Sequence, residues 1–384
     1  MRVFLIAGEA SGDRLGAALM AGLKSLESME FQGVGGHLMQ AEGMSSLFDM
    51  DELSVMGLAE IIPKYPHLRR RLHQTANAVL EARPDVLITI DSPDFCLRVA
   101  KLVKAKSDVR TVHYVAPSVW AWRAGRARKM ARVVDQVLAL LPFEPPYMEA
   151  AGVACDFVGH PVVSEPQANA EQIQEFKARH GIEGALWMIL PGSRRGEVQR
   201  LGARFTDVVQ RVMAQRPDLS VVIPTTASVA PMVREMVEGW PVAPVILDPT
   251  ETDAETAKAE KRAAFGAADW ALAASGTVSL ELAAAGTPMV IAYDLNPLSR
   301  FIISRMLTVD TLTLVNLVSD TWAVPEFIGT RCLPELIAPA MLEVMQAPGA
   351  QRAAMELTMQ RLGRDGEAPG LRAARAVLAR MGDV

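Results

Sequence analysis

Residues Val3-Phe4-Leu5-Ile6-Ala7-Gly8-Glu9-Ala10-Ser11-Gly12-Asp13 decide the reading of this chain, because an unbroken apolar run passes directly into a turn of small residues. The same design returns in Leu186-Trp187-Met188-Ile189-Leu190-Pro191-Gly192-Ser193-Arg194-Arg195-Gly196-Glu197. Runs that are apolar throughout suit strands covered on both faces. Small, φ-permissive residues between such a strand and an amphipathic helix let backbone N–H groups and a helix N-terminus face an anion. Two such junctions, each heading its own α/β half, predict two nucleotide-type folds facing each other with a ligand between them.

Beyond these stretches, short apolar runs alternate with helical patterns, as in parallel α/β sheets. Strands are predicted over 2–7, 85–90, 110–115, 136–141 and 155–158, then over 186–190, 219–223, 244–247, 270–273 and 288–293. Helices are predicted over 13–27, 66–82 and 95–106, then over 197–215, 228–238, 254–266, 277–285 and 334–346. The Pro-rich, polar stretch from Gly159-His160-Pro161 to Asn169 marks a boundary. It separates a domain of residues 1–163 from one of 164–349, leaving a last segment, 350–384.

The 384 residues are enough for two or three such domains. A net charge of −5 and a pI near 5.8 argue against a nucleic-acid partner, so attraction to an anionic surface must be local. Cys96, Cys155 and Cys332 are far apart and fit buried thiols in a reducing compartment better than a disulfide framework. The apolar stretch after Met1-Arg2 is too short for a signal peptide, and the one from Trp270 to Tyr293 is cut by Glu281. The expected place is therefore cytoplasmic, in solution or lying on a membrane. None of the six histidines has partners at zinc-ligand spacing, and no metal is expected.

Three constellations follow strand ends, where ligands of open α/β sheets bind. Asp91-Ser92-Pro93-Asp94-Phe95 follows the strand at 86–90, and a carboxylate there suits a general base for a hydroxyl nucleophile. The plainer reading is helix capping, for which Asp94 is better placed than Asp91. Arg194, beside the N–H groups of Gly192 and Ser193, suits a diphosphate clamp, the alternative being a solvated arginine pair. Ser275, Gly276 and Thr277 open a helix after strand 270–273 and suit phosphate oxygens, while Glu281 could take a ribose diol. A Ser/Thr cap with Glu in the first turn explains much of the same pattern.

Two segments join aromatic or apolar residues to cations. His113-Tyr114-Val115-Ala116-Pro117-Ser118-Val119-Trp120-Ala121-Trp122-Arg123 is followed by Arg126, Arg128, Lys129 and Arg132. Val55-Met56-Gly57-Leu58 leads into Ile61-Ile62-Pro63-Lys64-Tyr65 and Arg69-Arg70-Arg71. Both fit contact with a lipid headgroup layer, and both equally fit ordinary helices with a solvated face.

Together these motifs resemble the lipid-A-disaccharide synthase family, family 19 of the glycosyltransferases. The resemblance runs along nearly the whole chain. It is carried by Gly8-Glu9-Ala10-Ser11-Gly12-Asp13, Met39-Gln40-Ala41-Glu42-Gly43, Ala59-Glu60, Asp91-Ser92-Pro93-Asp94-Phe95 and the Tyr114–Trp122 run. It continues through Leu141-Pro142-Phe143-Glu144, Phe157-Val158-Gly159-His160-Pro161, Leu190-Pro191-Gly192-Ser193-Arg194, Ala274-Ser275-Gly276-Thr277 and Val315-Asn316-Leu317.

The resemblance implies a GT-B fold: two Rossmann-like domains with the active site in their cleft, the last segment returning to the first domain. It implies an inverting hexosyl transfer from UDP-2,3-diacylglucosamine to 2,3-diacylglucosamine 1-phosphate. The products would be a β-1,6-linked disaccharide 1-phosphate and UDP, formed without cofactor or metal. It implies a peripheral place on the cytoplasmic face of the inner membrane and leaves the oligomeric state open. By match of motif, Asp91 is the family's essential aspartate and Glu9 the glutamate of its first loop. Arg194 stands near the UDP diphosphate and Asn316 beside the donor. Gly8, Ser11, Gly12, His113, Gly192, Ser193, Ser275, Gly276, Thr277 and Glu281 complete the expected substrate-binding set.

Departures are local: Ser92 stands where Ala is common, Ala116 where Ser is common, and Val315 and Leu317 flank Asn316 where Pro often precedes it. The segment 241–264 is longer than usual. Two other readings are a UDP-sugar epimerase, which shares the fold, and a non-catalytic nucleotide sensor, which leaves Asp91 without a task. A dehydrogenase is disfavoured because Gly33-Val34-Gly35-Gly36 is not a full dinucleotide fingerprint after the first strand.

Overall fold

All strand pairs among the described residues are parallel, and they form two separate sheets. The computed structural model describes residues 1–53, 58–120, 125–294 and 309–382, without the side chains of 58–64. The expectations for Val55-Met56-Gly57 and Ala121-Trp122-Arg123, and for the side chains of Ala59-Glu60 and Ile61–Lys64, lie outside the described residues.

The first sheet contains β1 (Arg2–Ala7), β2 (Glu30–Val34), β3 (Ser45–Ser46), β4 (Val86–Ile90), β5 (Arg110–Tyr114), β6 (Gln136–Ala139) and β7 (Ala154–Phe157), in spatial order β3-β2-β1-β4-β5-β6-β7. The second contains β8 (Leu186–Leu190), β9 (Ser220–Pro224), β10 (Val245–Leu247), β11 (Trp270–Ala274), β12 (Met289–Tyr293) and β13 (Glu326–Ile328), in order β10-β9-β8-β11-β12-β13. Both orders are the doubly wound 3-2-1-4-5-6 pattern. The pattern reverses between β1 and β4 in one sheet and between β8 and β11 in the other. Every residue of β4 and β8 is buried, so both faces of these central strands are covered. Their sequences, apolar but for the buried Thr89, follow from that burial.

Three strands escaped the sequence reading. β2, Glu30-Phe31-Gln32-Gly33-Val34, alternates polar and apolar residues, with Glu30 and Gln32 exposed. β3 is a two-residue strand on the edge of its sheet, and β13 is a three-residue edge strand entered from Pro325. The first helix begins at Ala10 rather than at 13, so Ser11 and Gly12 belong to its first turn instead of to a loop.

By packing, the chain divides into one unit of Met1–Ser164 plus the residues from Leu362 on, and a second unit of Glu165–Arg361. The last segment therefore divides differently from the expectation for 350–384. Helix Gly349–Arg361 packs in the second unit, where Thr358 Oγ1 donates to the Val315 carbonyl. Only the part from Leu362 returns. There helix Pro369–Ala379 crosses helix Ala10–Leu26 so closely that a Cβ on Gly370 would stand 2.5 Å from the Ala18 carbonyl oxygen. Ala373, Ala374 and Val377 are fully buried in the core of the first unit. Arg380 closes the contact with a two-toothed ion pair to Asp156 at 2.7 and 2.9 Å.

Candidate functional site

In the first unit Ala7 of β1 pairs with Ile90 of β4, so Gly8-Glu9 and Asp91-Ser92 leave neighbouring strand ends at the reversal of strand order. Their junctions are tightly interlocked. A Cβ on Gly8 would stand 2.6 Å from Ser92 Oγ, and one on Gly12 3.3 Å from Ala7 Cβ and 3.4 Å from the Ile90 carbonyl. Small residues are thus demanded here by the approach of strand end to helix. Asp13, fully buried, spends its carboxylate on the N–H groups of Gly36, Leu38 and Met39 at 2.9 to 3.0 Å. It is a structural clamp that the sequence reading treated only as the end of a loop.

Asp91 and Ser92 both have left-handed backbones, with φ of 51° and 41°, and Val115 after β5 has φ of 86°. Such conformations cost non-glycine residues on the order of 1–3 kcal/mol each and collect where a fold must aim particular side chains. The Asp91 N–H is fixed to the Tyr114 carbonyl at 2.9 Å and that of Val115 to Leu138 at 3.0 Å. The helix over Pro93–Lys104 takes Ser92, not Asp94, as its N-cap residue; Asp94 lies in the first turn, exposed. Capping therefore does not account for Asp91. Its partly exposed carboxylate has no hydrogen-bond or ion-pair partner among the described residues, and it stands just before a helix N-terminus. Glu9 is the N-cap residue of helix Ala10–Leu26 and makes no side-chain cap bond; it is partly exposed, as is Ser11.

His113 departs from expectation. It points into the sheet from β5, fully buried, with Nδ1 2.8 Å from Thr89 Oγ1. Burial pushes its pKa down to about 4, so the ring is neutral near pH 7. Beyond it, Trp120 is anchored by its indole N–H on Glu144 at 3.3 Å. Burial raises the Glu144 carboxyl to about 7 despite the N–H donors around it.

In the second unit Leu190 of β8 pairs with Ala273 of β11, which brings Pro191–Arg194 beside Ser275–Thr277 at the other reversal point. Ser193, Arg194, Gly276 and Thr277 are exposed, and Gly192 and Ser275 partly so. Arg194 is the N-cap residue of helix Arg195–Met213. The N–H groups of Ser193 and Arg194 both donate to Glu197 Oε2, at 3.1 and 3.2 Å. Tyr293, at the end of β12, reaches the other Glu197 oxygen at 3.5 Å; burial and then Glu197 raise its pKa, so the phenol stays protonated. Glu197 was quoted in the deciding stretch without a role. Its signal was the spacing of three residues from the cap, where a glutamate folds back onto the cap N–H.

Glu281 sits one turn into helix Val278–Ala285 and is paired with Lys261 at 2.6 Å. Asn316 also departs from expectation. It is buried, and its amide makes a double bond pattern with one residue, donating to the Val324 carbonyl at 2.9 Å and accepting the Val324 N–H at 3.0 Å. Both ends are spent on the chain, so Asn316 acts as a strut. Among the described residues no group of three or more His, Cys, Asp or Glu is gathered as a metal site would need.

The sequence profile of the family described as lipid-A-disaccharide synthetase matches residues 3–379. The chain belongs to that family. A lipid-A-disaccharide synthase from Ruegeria pomeroyi is 61% identical over 383 residues, covering 99% of this chain and 96% of that protein. One from Rhodospirillum centenum is 46% identical over 384 residues, covering 98% and 94%. The fold is shared more widely. The crystal structure of UDP-GlcNAc 2-epimerase from Neisseria meningitidis bound to UDP-GlcNAc matches with a TM-score of 0.65 at 11% identity over 100% of both chains. Family membership and the paired strand orders make this a glycosyltransferase of the GT-B class that forms the lipid A disaccharide. Each reversal point of the two sheets carries a set of residues through which the family match runs.

Proposed function

We propose that the chain joins UDP-2,3-diacylglucosamine to 2,3-diacylglucosamine 1-phosphate, giving the β-1,6-linked disaccharide 1-phosphate and UDP with inversion at the transferred anomeric carbon. Membership of the family supports the reaction. The observation that carries the mechanism is the carboxylate of Asp91, which has no partner among the described residues and is held in a strained turn where strand order reverses. Asp91 removes the proton of the acceptor 6-hydroxyl as that oxygen attacks the anomeric carbon. The bond from that carbon to the diphosphate breaks on the opposite face, and its electron pair leaves with UDP. Arg194 stabilises the charge that builds on the diphosphate, so the transfer needs no metal. Ser275, Gly276 and Thr277 take further donor oxygens, and Glu9, at the neighbouring strand end, orients the acceptor.

The substrates are lipids, and the reading includes peripheral binding to the cytoplasmic face of the inner membrane. No described helix is long and apolar enough to cross a membrane. Exposed Tyr65, Arg69 and Arg70 on helix Leu58–Ala82, and exposed Arg128, Lys129 and Arg132 on and after helix Gly125–Met130, support headgroup contact.

The test is a radiolabelled transfer assay with both lipid substrates in the presence of EDTA, on wild type and Asp91→Asn. Disaccharide from wild type and a loss of about 10²–10⁴-fold in kcat for a folded variant are expected. No disaccharide from wild type that binds UDP overturns the reaction. Full activity in Asp91→Asn overturns the base, and loss of activity on EDTA addition overturns the metal-free transfer.

A further inference from the structure

The turn that the proposed function assigns to the donor diphosphate already holds an anion belonging to the chain. Glu197 Oε2 accepts the Ser193 and Arg194 N–H groups at 3.1 and 3.2 Å, while Oε1 lies 3.5 Å from the Tyr293 phenol and 3.8 Å from the Arg194 guanidinium. Gly192 makes room for it: a Cβ there would stand 2.6 Å from both Cβ and Oε2 of Glu197, and its φ is +116°. A side chain other than hydrogen at 192 would expel the carboxylate.

The two charged side chains divide inside from outside. That of Glu197 is 12% exposed, whereas that of Arg194 is 67% exposed. A diphosphate brought to the same two N–H groups would meet a carboxylate at contact distance, and like charges so close repel strongly. The loop amides and the guanidinium therefore serve different partners.

We propose that Glu197 is a positioning residue for the transfer reaction: it takes the N–H groups of the Gly192-Ser193-Arg194 turn and so fixes the backbone from which the Arg194 guanidinium reaches the donor diphosphate. The inference rests on the reading of Arg194 as a diphosphate ligand and adds how that arginine is held. It also removes the loop amides of Ser193 and Arg194 from the donor's own contacts. Tyr293, from the far side of β11, keeps the carboxylate turned inward.

The experiment compares wild type with Glu197→Ala, Glu197→Gln and Glu197→Asp in the full chain. It reads UDP affinity by calorimetry, kcat and KM for each substrate, and thermal midpoint. Glu197→Ala is expected to raise donor KM and the UDP dissociation constant about ten-fold while kcat falls less than about three-fold and acceptor KM holds. Glu197→Gln, whose carbonyl still accepts an N–H, recovers most of the loss. Tighter UDP binding in Glu197→Ala would mean that the carboxylate competes with the diphosphate, which overturns the proposal. A lower thermal midpoint with unchanged donor KM and UDP affinity would reduce Glu197 to a helix cap and overturn it as well. Where Glu197→Ala does not fold, Glu197→Asp decides, because its carboxylate falls one methylene short; unchanged donor KM and UDP affinity there overturn the proposal. A wild type that makes no disaccharide while Glu197→Ala loses UDP affinity would remove the reaction and leave the positioning role standing.

Discussion

The indole N–H of Trp120 donates to Glu144 Oε1 at 3.3 Å, and the other oxygen of the same carboxyl accepts the Leu141 N–H at 3.0 Å, all within the interior of the first unit. A carboxyl thus joins the aromatic run after β5 to the turn after β6.

That carboxyl makes stability depend on pH. Burial holds its folded pKa at about 7, above the ordinary carboxylate value of about 4.5, so the fold favours the protonated form. The resulting stabilisation is complete below about pH 4.5 and is lost as pH rises to about 7, a change on the order of 3 kcal/mol. His113 and His160 act oppositely: burial holds both near 4, and their contribution is lost as pH falls from 6.5 toward 4. The difference between wild type and Glu144→Gln isolates the carboxyl. In urea unfolding at pH 5 and pH 7.5, the stability of wild type relative to Glu144→Gln should fall by about 1–3 kcal/mol at the higher pH. A difference that does not change with pH would refute the assignment.

Gly8 and Ser92 are packed so closely that the base depends on a glycine in another loop. Gly8→Ala puts a methyl 2.6 Å from Ser92 Oγ and 3.0 Å from Ser92 Cβ. The expected cost is about 1–3 kcal/mol in stability together with a ten-fold or larger drop in kcat, of order that caused by small misplacements of a catalytic group. Ser92→Gly in the same chain removes both colliding atoms and suits the left-handed backbone there, so it should restore most of the rate. Transfer kinetics on the two single variants and the pair check this; a pair no better than Gly8→Ala would reject the steric link.

Asn316 should behave as a strut and not as a ligand. Asn316→Ala leaves the buried Val324 N–H and carbonyl without their partners, at a cost of about 2–4 kcal/mol. Denaturant unfolding should show that loss, while UDP affinity measured on the folded fraction changes less than about three-fold. A stable variant that has lost UDP affinity would return Asn316 to the donor site.

Gly370→Ala should loosen the terminal helix from helix Ala10–Leu26, since the added methyl meets the Ala18 carbonyl at 2.5 Å. Destabilisation of about 1–3 kcal/mol is expected, with faster proteolysis between Gly363 and Ala368. Proteolysis at the wild-type rate would show that the crossing tolerates the methyl.

What could be read from the amino-acid sequence was what burial imposes on short segments. β1, β4, β8 and β11 are largely apolar because both of their faces are covered, and the small residues at their ends stand out against that background. Asp91, Arg194 and Ser275–Thr277 were singled out by their place after such strands. β2 stayed hidden because two of its five residues face water, and β13 because a three-residue edge strand has too few residues for a pattern. His113 and Asn316 lie deeper in the fold than their motifs suggest, for a different reason. A motif names a residue without saying whether its side chain is consumed inside the fold, and Thr89 and Val324 consume these two. Glu197 was visible, but only the approach of its carboxylate to Gly192 reveals what it binds.

The return of helix Pro369–Ala379 to the first unit has a consequence for synthesis. Ala373, Ala374 and Val377 complete a core whose other members lie before residue 160. On the ribosome, the N-terminal sheet therefore waits for the roughly 200 residues of the second unit to be made, ~10–40 s at ordinary elongation rates. During that interval the groove on helix Ala10–Leu26 around Ala18 and Gly22 lacks its cover, and the nascent chain carries a sticky seam that only its own last helix can seal. The half of the protein translated first is the half finished last.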